Sequence, residues 1–431
     1  MAENLDKRNE EYETDIDTKD HLDLYDATGR SAYFEACIRY SVIPITHFLN
    51  KMTEEEMNLQ YYGAGAKGAK AISAALLSNT VTLELNLKEN HIGLEGSKSI
   101  SAMLKENCYI LDINLSANFM GPEGCRYVSE MLHQNISLKR LNISKNNFGD
   151  SVGQYLCDAF KNNFKLTWLD LSSNGLSDKV AAAISPGIDG NDALEYLNLS
   201  WNQFRGKAMQ NIAMGLRANC ALKVLDISWN GFSNEGAIGL AEALKINNTL
   251  IELDISNNRI SMNGCIAIAK SLDINNTLEV LKMNFNPITP NGANTLLNSI
   301  SNKSDSAIKE IHLKGVLVQH EFIEKYEALK RTKNITVQAN FHVLPQIEII
   351  RNYTEKNKEL WIRSFSEFDP TFSNMVTIAQ FDQVLQKIGL NFSVEERMPL
   401  LAKLKKNSQG KVNYMKPKLG FSKAYSNPVE N

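Results

Sequence analysis

The chain has 431 residues, 43% of them hydrophobic, and a formal net charge of -3. That composition supplies a globular core, and with Lys and Arg scattered it excludes the clustered basic stripe that nucleic acid requires. The six cysteines (Cys37, Cys108, Cys125, Cys157, Cys220, Cys265) include no CxxC pair, so neither a disulfide framework nor a zinc site is expected.

Residues 1–29 open the chain as an acidic segment with few large apolar side chains, which reads as a solvated, disordered tail. It lacks the basic and then apolar order of a secretory leader, and no apolar run reaches the roughly 18 residues of a membrane span. A soluble, cytoplasmic protein is expected. Residues 30–56 carry two short helical patterns, Ser31 to Ser41 and Ile45 to Met52, which would cover the edge of whatever follows.

From Met57 to Val318 the chain repeats with a period of 28. Asparagines recur without slippage at Asn90, Asn118, Asn146, Asn174, Asn202, Asn230, Asn258 and Asn286, and again 17 residues later at Asn79, Asn107, Asn135, Asn163, Asn191, Asn219, Asn247 and Asn275. Before each asparagine of the first set stands an alternation such as Leu225-Asp-Ile227, the signature of a short strand with one buried face. After it comes a frequent glycine (Gly96, Gly124, Gly236, Gly264, Gly292) and a helix with inward residues such as Leu104, Leu132, Phe160 and Leu216.

One strand, one turn and one helix per repeat predict a solenoid with a parallel sheet inside and helices outside. The first ladder is expected to pair its amides with the backbone where the strand ends. The second falls at helix ends, where asparagine tolerates the left-handed conformation.

The motif LxxLxLxxNxL at this period resembles the leucine-rich repeats of the ribonuclease-inhibitor type. As a whole, the chain is similar to the leucine-rich repeat-containing protein 74 group: the acidic "DTKDHLDLYD" (Asp17 to Asp26), the repeats with "LDISWNGF", and an EF-hand-like end. The resemblance implies an α/β horseshoe with concave strands, convex helices, a helical N-terminal cap and an all-α C-terminal module. It carries no activity with it. Groups of this kind include components of cilia and sperm flagella, which adds that location to the cytoplasmic expectation.

Residues 319–342, with "HEFIEKYEALKR", read as a closing cap. Residues 343–418 read as a degenerate EF-hand-like pair, and 419–431 as a tail. The loop Asp369 to Gln380 keeps an aspartate at its first position and Val376 at its eighth, but has Asn374 in place of the turn glycine and Gln380 in place of the bidentate glutamate. The loop Lys405 to Lys416 keeps Gly410 and Val412 but places lysines at both ends. No metal is expected in either. Ser393 and Glu396 form a candidate capping box.

Catalytic signatures are missing from the sequence. The GxGxxG at Gly63, Gly65 and Gly68 coincides with the glycine position of the repeat, and the seven histidines form no HExxH pair. The chain is expected to be no enzyme and to need no cofactor.

The concave surface remains. Strand positions between the buried leucines carry Trp168 and Tyr196, the position before the ladder asparagine carries Trp201, Trp229 and Phe285, and Asp170, Asp226 and Asp254 lie between. Early repeats place Glu84, Asp112, Glu89 and Lys145 there instead. Clustered surface aromatics suit a protein partner, whereas stacking along the array is the structural alternative. The expected function is a non-catalytic interaction scaffold. Fold resemblance to the activator of the Ran cycle offers a regulator of a small GTPase as an alternative, and the C-terminal loops offer a calcium-responsive adaptor.

Overall fold

The computed structural model describes residues 26–316, 318, 320–339, 345–390, 392–415 and 417. The acidic segment before Asp26 and the tail after residue 418 lie outside these residues, as does Lys416 at the end of the second loop.

Eleven strands form one sheet in sequence order, all parallel, from Glu56–Asn58 to Thr336–Ala339. Each three-residue strand buries its central side chain, Leu85, Ile113, Leu141, Leu169, Leu197, Leu225, Leu253 and Leu281 among them, and turns the residues on either side to the open face. From Glu56–Asn58 to Val280–Lys282 every strand pairs with the residue 28 positions on, so equivalent side chains lie side by side.

The helices cover the other face, and Leu104, Leu132, Phe160, Ile188, Leu216, Leu244, Leu272 and Ile300 are all buried against the strands. No helix among the described residues is long and apolar enough to cross a membrane.

The first asparagine ladder is a continuous hydrogen-bonded column. The Nδ2 of all eight donates to the carbonyl 31 residues earlier, as from Asn174 to Ile143 at 3.0 Å and from Asn230 to Leu199 at 3.0 Å. The Oδ1 accepts from the backbone N–H of the preceding asparagine, as Asn174 does from Asn146 at 2.8 Å. At Asn90 the Ala64 N–H takes that place, at 3.1 Å, and at Asn230 the Phe204 N–H, at 3.3 Å. Each amide thus satisfies buried groups that would cost about 1 to 3 kcal/mol each if left unpaired.

The second ladder works differently from the sequence expectation. None of its members is left-handed: Asn107, Asn135, Asn163, Asn191 and Asn219 all end their helices in extended backbone. In that conformation the side chain reaches both ways. Asn107 Oδ1 accepts from the N–H groups of Tyr109 and Ile110, at 2.9 and 3.0 Å, and Nδ2 donates to Leu76 O of the previous helix at 2.7 Å. A left-handed residue would aim its amide away from both.

Left-handed residues instead flank the first-ladder asparagines: Glu89, Ala117, Lys145, Ser173, Trp201, Trp229, Asn257 and Phe285 one place before, all with φ between 53° and 57°, and His91, Phe119, Asn147 and Arg259 one place after.

At the N-terminus, helices Arg30–Tyr40 and Thr46–Lys51 lie before the first strand. Gly29, with φ of 73°, is seated so closely on the array that a Cβ would stand 2.0 Å from Ala75 O. Four N–H and O–H groups, from Thr28, Gly29 and Ser31, donate to the Asp26 carboxylate. The Thr28 hydroxyl first, with the Ser31 N–H, holds its pKa down at about 2.

At the far end the register opens to 30 residues, with Glu310 beside Val280, and buried Val316 occupies the next asparagine slot. The sheet nevertheless continues beyond the helix His320–Lys333 expected to close it. The Ile335-Thr-Val337 alternation adds an eleventh strand, Thr336–Ala339, beside Glu310–Leu313.

The second ladder continues in another residue type. Lys303 Nζ donates to Leu272 O and Asn275 O at 3.1 and 2.7 Å, and Lys333 Nζ donates to Ile300 O at 2.6 Å and to Lys303 O.

The C-terminal module has a core of its own around Trp361, Phe365, Phe381 and Tyr414. It is helical but not wholly so, since Met375–Val376 pairs antiparallel with Val412–Asn413. This ladder joins the two loops through Val376 and Val412 because the apolar residue of each loop needs a partner to be buried. The turn positions Asn374 and Gly410 are both left-handed, with φ of 61° and 74°.

Candidate partner-binding surface

The in-register sheet decides where the aromatic residues fall. Trp168 pairs with Tyr196, and their rings stack at 4.8 Å between centroids and 10° between planes, close to the strand spacing itself. On the outer face of Trp168 the Arg140 guanidinium sits 4.5 Å from the ring centroid while Arg140 Nε donates to Asp112 Oδ2 at 2.8 Å. The open face of the sheet thus carries a row from Asp112 through Arg140 and Trp168 to Tyr196.

Trp201 and Trp229 stack at 4.1 Å and 11° on the turn above the strands, where their left-handed backbone throws both rings outward. They remain 55% and 45% exposed. Phe285, 56% exposed, is separated from them by Asn257 in the intervening coil and does not join the stack.

Asp170, Asp226 and Asp254 occupy one strand position, with Asn198 between the first two and Asp226 directly beside Asp254. Each folds onto its own turn, accepting an N–H from Ser172, Ser228 or Ser256 at 2.8 to 2.9 Å. Asn58, Asn86, Asn114, Asn142 and Asn198 make the same bond from the same position, so the turn needs an acceptor oxygen and no charge.

The charge has a cost. Burial pushes the Asp170 and Asp226 carboxyls up, and the neighbouring Asp254 raises Asp226 further. Burial, then Asp226, Asp170 and Glu252, lifts the Tyr196 hydroxyl to about 12. Lys282 pairs with Glu252 at 2.5 Å and Lys223 with Glu195 at 2.7 Å.

Three groups here escape the sequence reading. Arg140 holds the strand position of Trp168 and Tyr196 but is neither aromatic nor acidic, the two residue types that mark the surface in the sequence. Arg205 and Arg259, which flank Trp229, lie one to three residues after a ladder asparagine, and reading those positions across the repeats would have found them.

These features define the class: a leucine-rich repeat solenoid with parallel strands on one face and helices on the other. The Leucine Rich repeat family matches six stretches of the chain, residues 134–157, 162–185, 191–213, 218–241, 247–269 and 275–297.

Within that class it is similar to Leucine-rich repeat-containing protein 74B of Homo sapiens, 34% identical over 68 residues. The matched stretch is 16% of this chain and only 17% of that relative's length. Among solved structures, Leiomodin-1 Actin-Binding Site 2 is 21% identical, with a TM-score of 0.32, over 43% of this chain and 99% of its own. The tropomodulin C-terminal domain of Caenorhabditis elegans is 16% identical, with a TM-score of 0.31, over 35% and 91%. Neither likeness bears on what this chain binds.

Proposed function

We propose that the protein is a non-catalytic scaffold that takes a protein partner on its concave strand face. Trp168, Tyr196, Trp201, Trp229 and Phe285 serve as anchors, and Asp170, Asp226 and Asp254 select cationic side chains. The observation that carries this reading is the surplus charge. Asparagine meets the need of the turn in five coils, yet three coils around the ring pairs hold half-buried carboxylates there, and burial disfavours the charge at Asp170 and Asp226. A cation arriving from a partner would offset that cost.

The C-terminal module supports a packing role better than a calcium switch. Asp369 accepts five hydrogen bonds from Thr371, Ser373, Asn374 and Tyr414, and Gln380 is occupied in a capping box with Thr377.

Proximity labelling in cells with the intact chain, the Trp201→Ala/Trp229→Ala chain and the Asp170→Asn/Asp226→Asn/Asp254→Asn chain tests the reading. Both variants should melt near or above the parent temperature and lose the same labelled partners. A large fall in melting temperature with labelling intact would defeat it.

A further inference from the structure

We propose that the rim cleft between Trp229 and Phe285 is an anion site that receives a phosphorylated side chain of the partner. It rests on the reading of Trp229 and Phe285 as partner-facing.

The cleft, about 320 Å³, lies where three successive coils turn from strand to helix. Its walls are the outward rings of Trp229 and Phe285, with Asn257 between them on the same left-handed position. Gly231, at φ of 81°, leaves the floor without a side chain, and Arg205 and Arg259 fill the vacancy from opposite sides. A Cβ on Gly231 would stand 2.8 Å from Arg205 Nη1 and 3.7 Å from Arg259 Nε, so both guanidinium groups converge on one point.

Two like charges converge there without a counter-ion. Among the described residues neither arginine has an ion pair with a carboxylate, and the one hydrogen bond from their side chains is the 3.4 Å contact of Arg205 Nη1 with Asn230 O. Most of their ten N–H donors are therefore left for a ligand.

Paired guanidinium forks match the oxygens of a phosphate dianion in geometry and in charge, while a carboxylate would balance only one of the two. Exposed rings on either side suit the carbon skeleton that bears the phosphate. The strand floor with Asp226 and Asp254 repels the same anion, which confines it to the rim. A partner segment that alternates cationic and phosphorylated residues is complementary to both.

The test uses the full chain and phenyl phosphate as probe, titrated by calorimetry at constant ionic strength, with phenylacetate and inorganic phosphate as parallel arms. The intact chain should bind phenyl phosphate, and Arg205→Gln/Arg259→Gln should weaken it by more than about tenfold at an unchanged melting temperature. Equal binding by that variant would overturn the site, and phenylacetate binding as tightly as phenyl phosphate would overturn its assignment to phosphate. The Asp170→Asn/Asp226→Asn/Asp254→Asn chain should bind the probe at least as tightly as the parent, and a loss like that of the arginine variant would overturn the site. Phosphate binding with partner labelling unaffected by the arginine changes would leave the scaffold reading standing and overturn only the role of this site in it.

Discussion

Trp201 lies parallel to Trp229, 4.1 Å away, and both residues hold a left-handed backbone, with φ of 54° and 55°. An L residue in that conformation carries a cost of roughly 1 to 2 kcal/mol, which the ladder asparagine next to it imposes on every coil.

Replacing both rings by alanine leaves the backbone cost in place and removes the stack, worth about 0.5 to 1.5 kcal/mol. The expected fall in melting temperature is a few degrees at most. Trp229→Asn should fare better, because the next coil already holds Asn257 at that position. Differential scanning calorimetry of the two variants checks the order.

Asp226→Asn should stabilise the array at neutral pH. The folded carboxyl is raised above its ordinary value by burial and by Asp254, so its favourable contribution is present below about pH 4 and is lost as pH rises through the folded value. The amide keeps the bond to Ser228 N–H, as Asn198 keeps its bond to Ser200, and carries no charge to bury. Melting curves should show a gain at pH 7 that vanishes below about pH 4; a gain independent of pH would contradict the assignment.

Asn174→Ala should be the severe change. It removes the acceptor of Asn146 N–H and the donor to Ile143 O and Leu171 O, and leaves buried backbone groups unpaired at a loss of about 3 to 5 kcal/mol. Because coils contact only their neighbours, hydrogen exchange should accelerate first between residues 140 and 175.

Lys303 offers a comparison of chemistry at one site. Lys303→Ala should destabilise the C-terminal end by about 1 to 3 kcal/mol, since Leu272 O and Asn275 O lose their donor. Lys303→Asn should recover much of that, because Asn275 makes the same pair of bonds one coil earlier, to Leu244 O and Asn247 O at 2.8 and 3.0 Å. Urea denaturation of the three chains decides it.

In the C-terminal module burial alone would raise the Asp369 pKa, but hydrogen bonds led by Ser373 hold it at about 2. Its contribution is present above the ordinary carboxyl value and is lost as pH falls through about 2. Asp369→Ala should therefore destabilise the module at neutral pH, which urea denaturation followed by tryptophan fluorescence would read. Calcium at micromolar concentration should give no calorimetric heat with the parent chain, and a measurable heat would return the calcium-responsive reading.

Most of the array was legible because a fixed spacing of asparagine and leucine repeats one set of backbone demands. Strand positions, inward helix residues and the register of Trp168 on Tyr196 all follow from the number 28. What the sequence hid was substitution of one donor for another. Lys303 and Lys333 do the work of asparagine without resembling it, and the strand at Thr336–Ala339 follows a coil whose slot holds Val316. The conformation of Asn107 and its equivalents was misread because helix-end asparagines have two local solutions, and the bond 31 residues back selects the extended one.

The asparagine bonds have a direction. Asn118 and Asn146 direct both of their long-range side-chain bonds at the coil before them, donating Nδ2 to its carbonyl and accepting its asparagine N–H at Oδ1. Trimming from the front therefore strands a side-chain amide, whereas trimming from the back orphans a backbone N–H and a backbone carbonyl. During synthesis, which runs from front to back, the newest coil is always incomplete until its successor emerges from the ribosome.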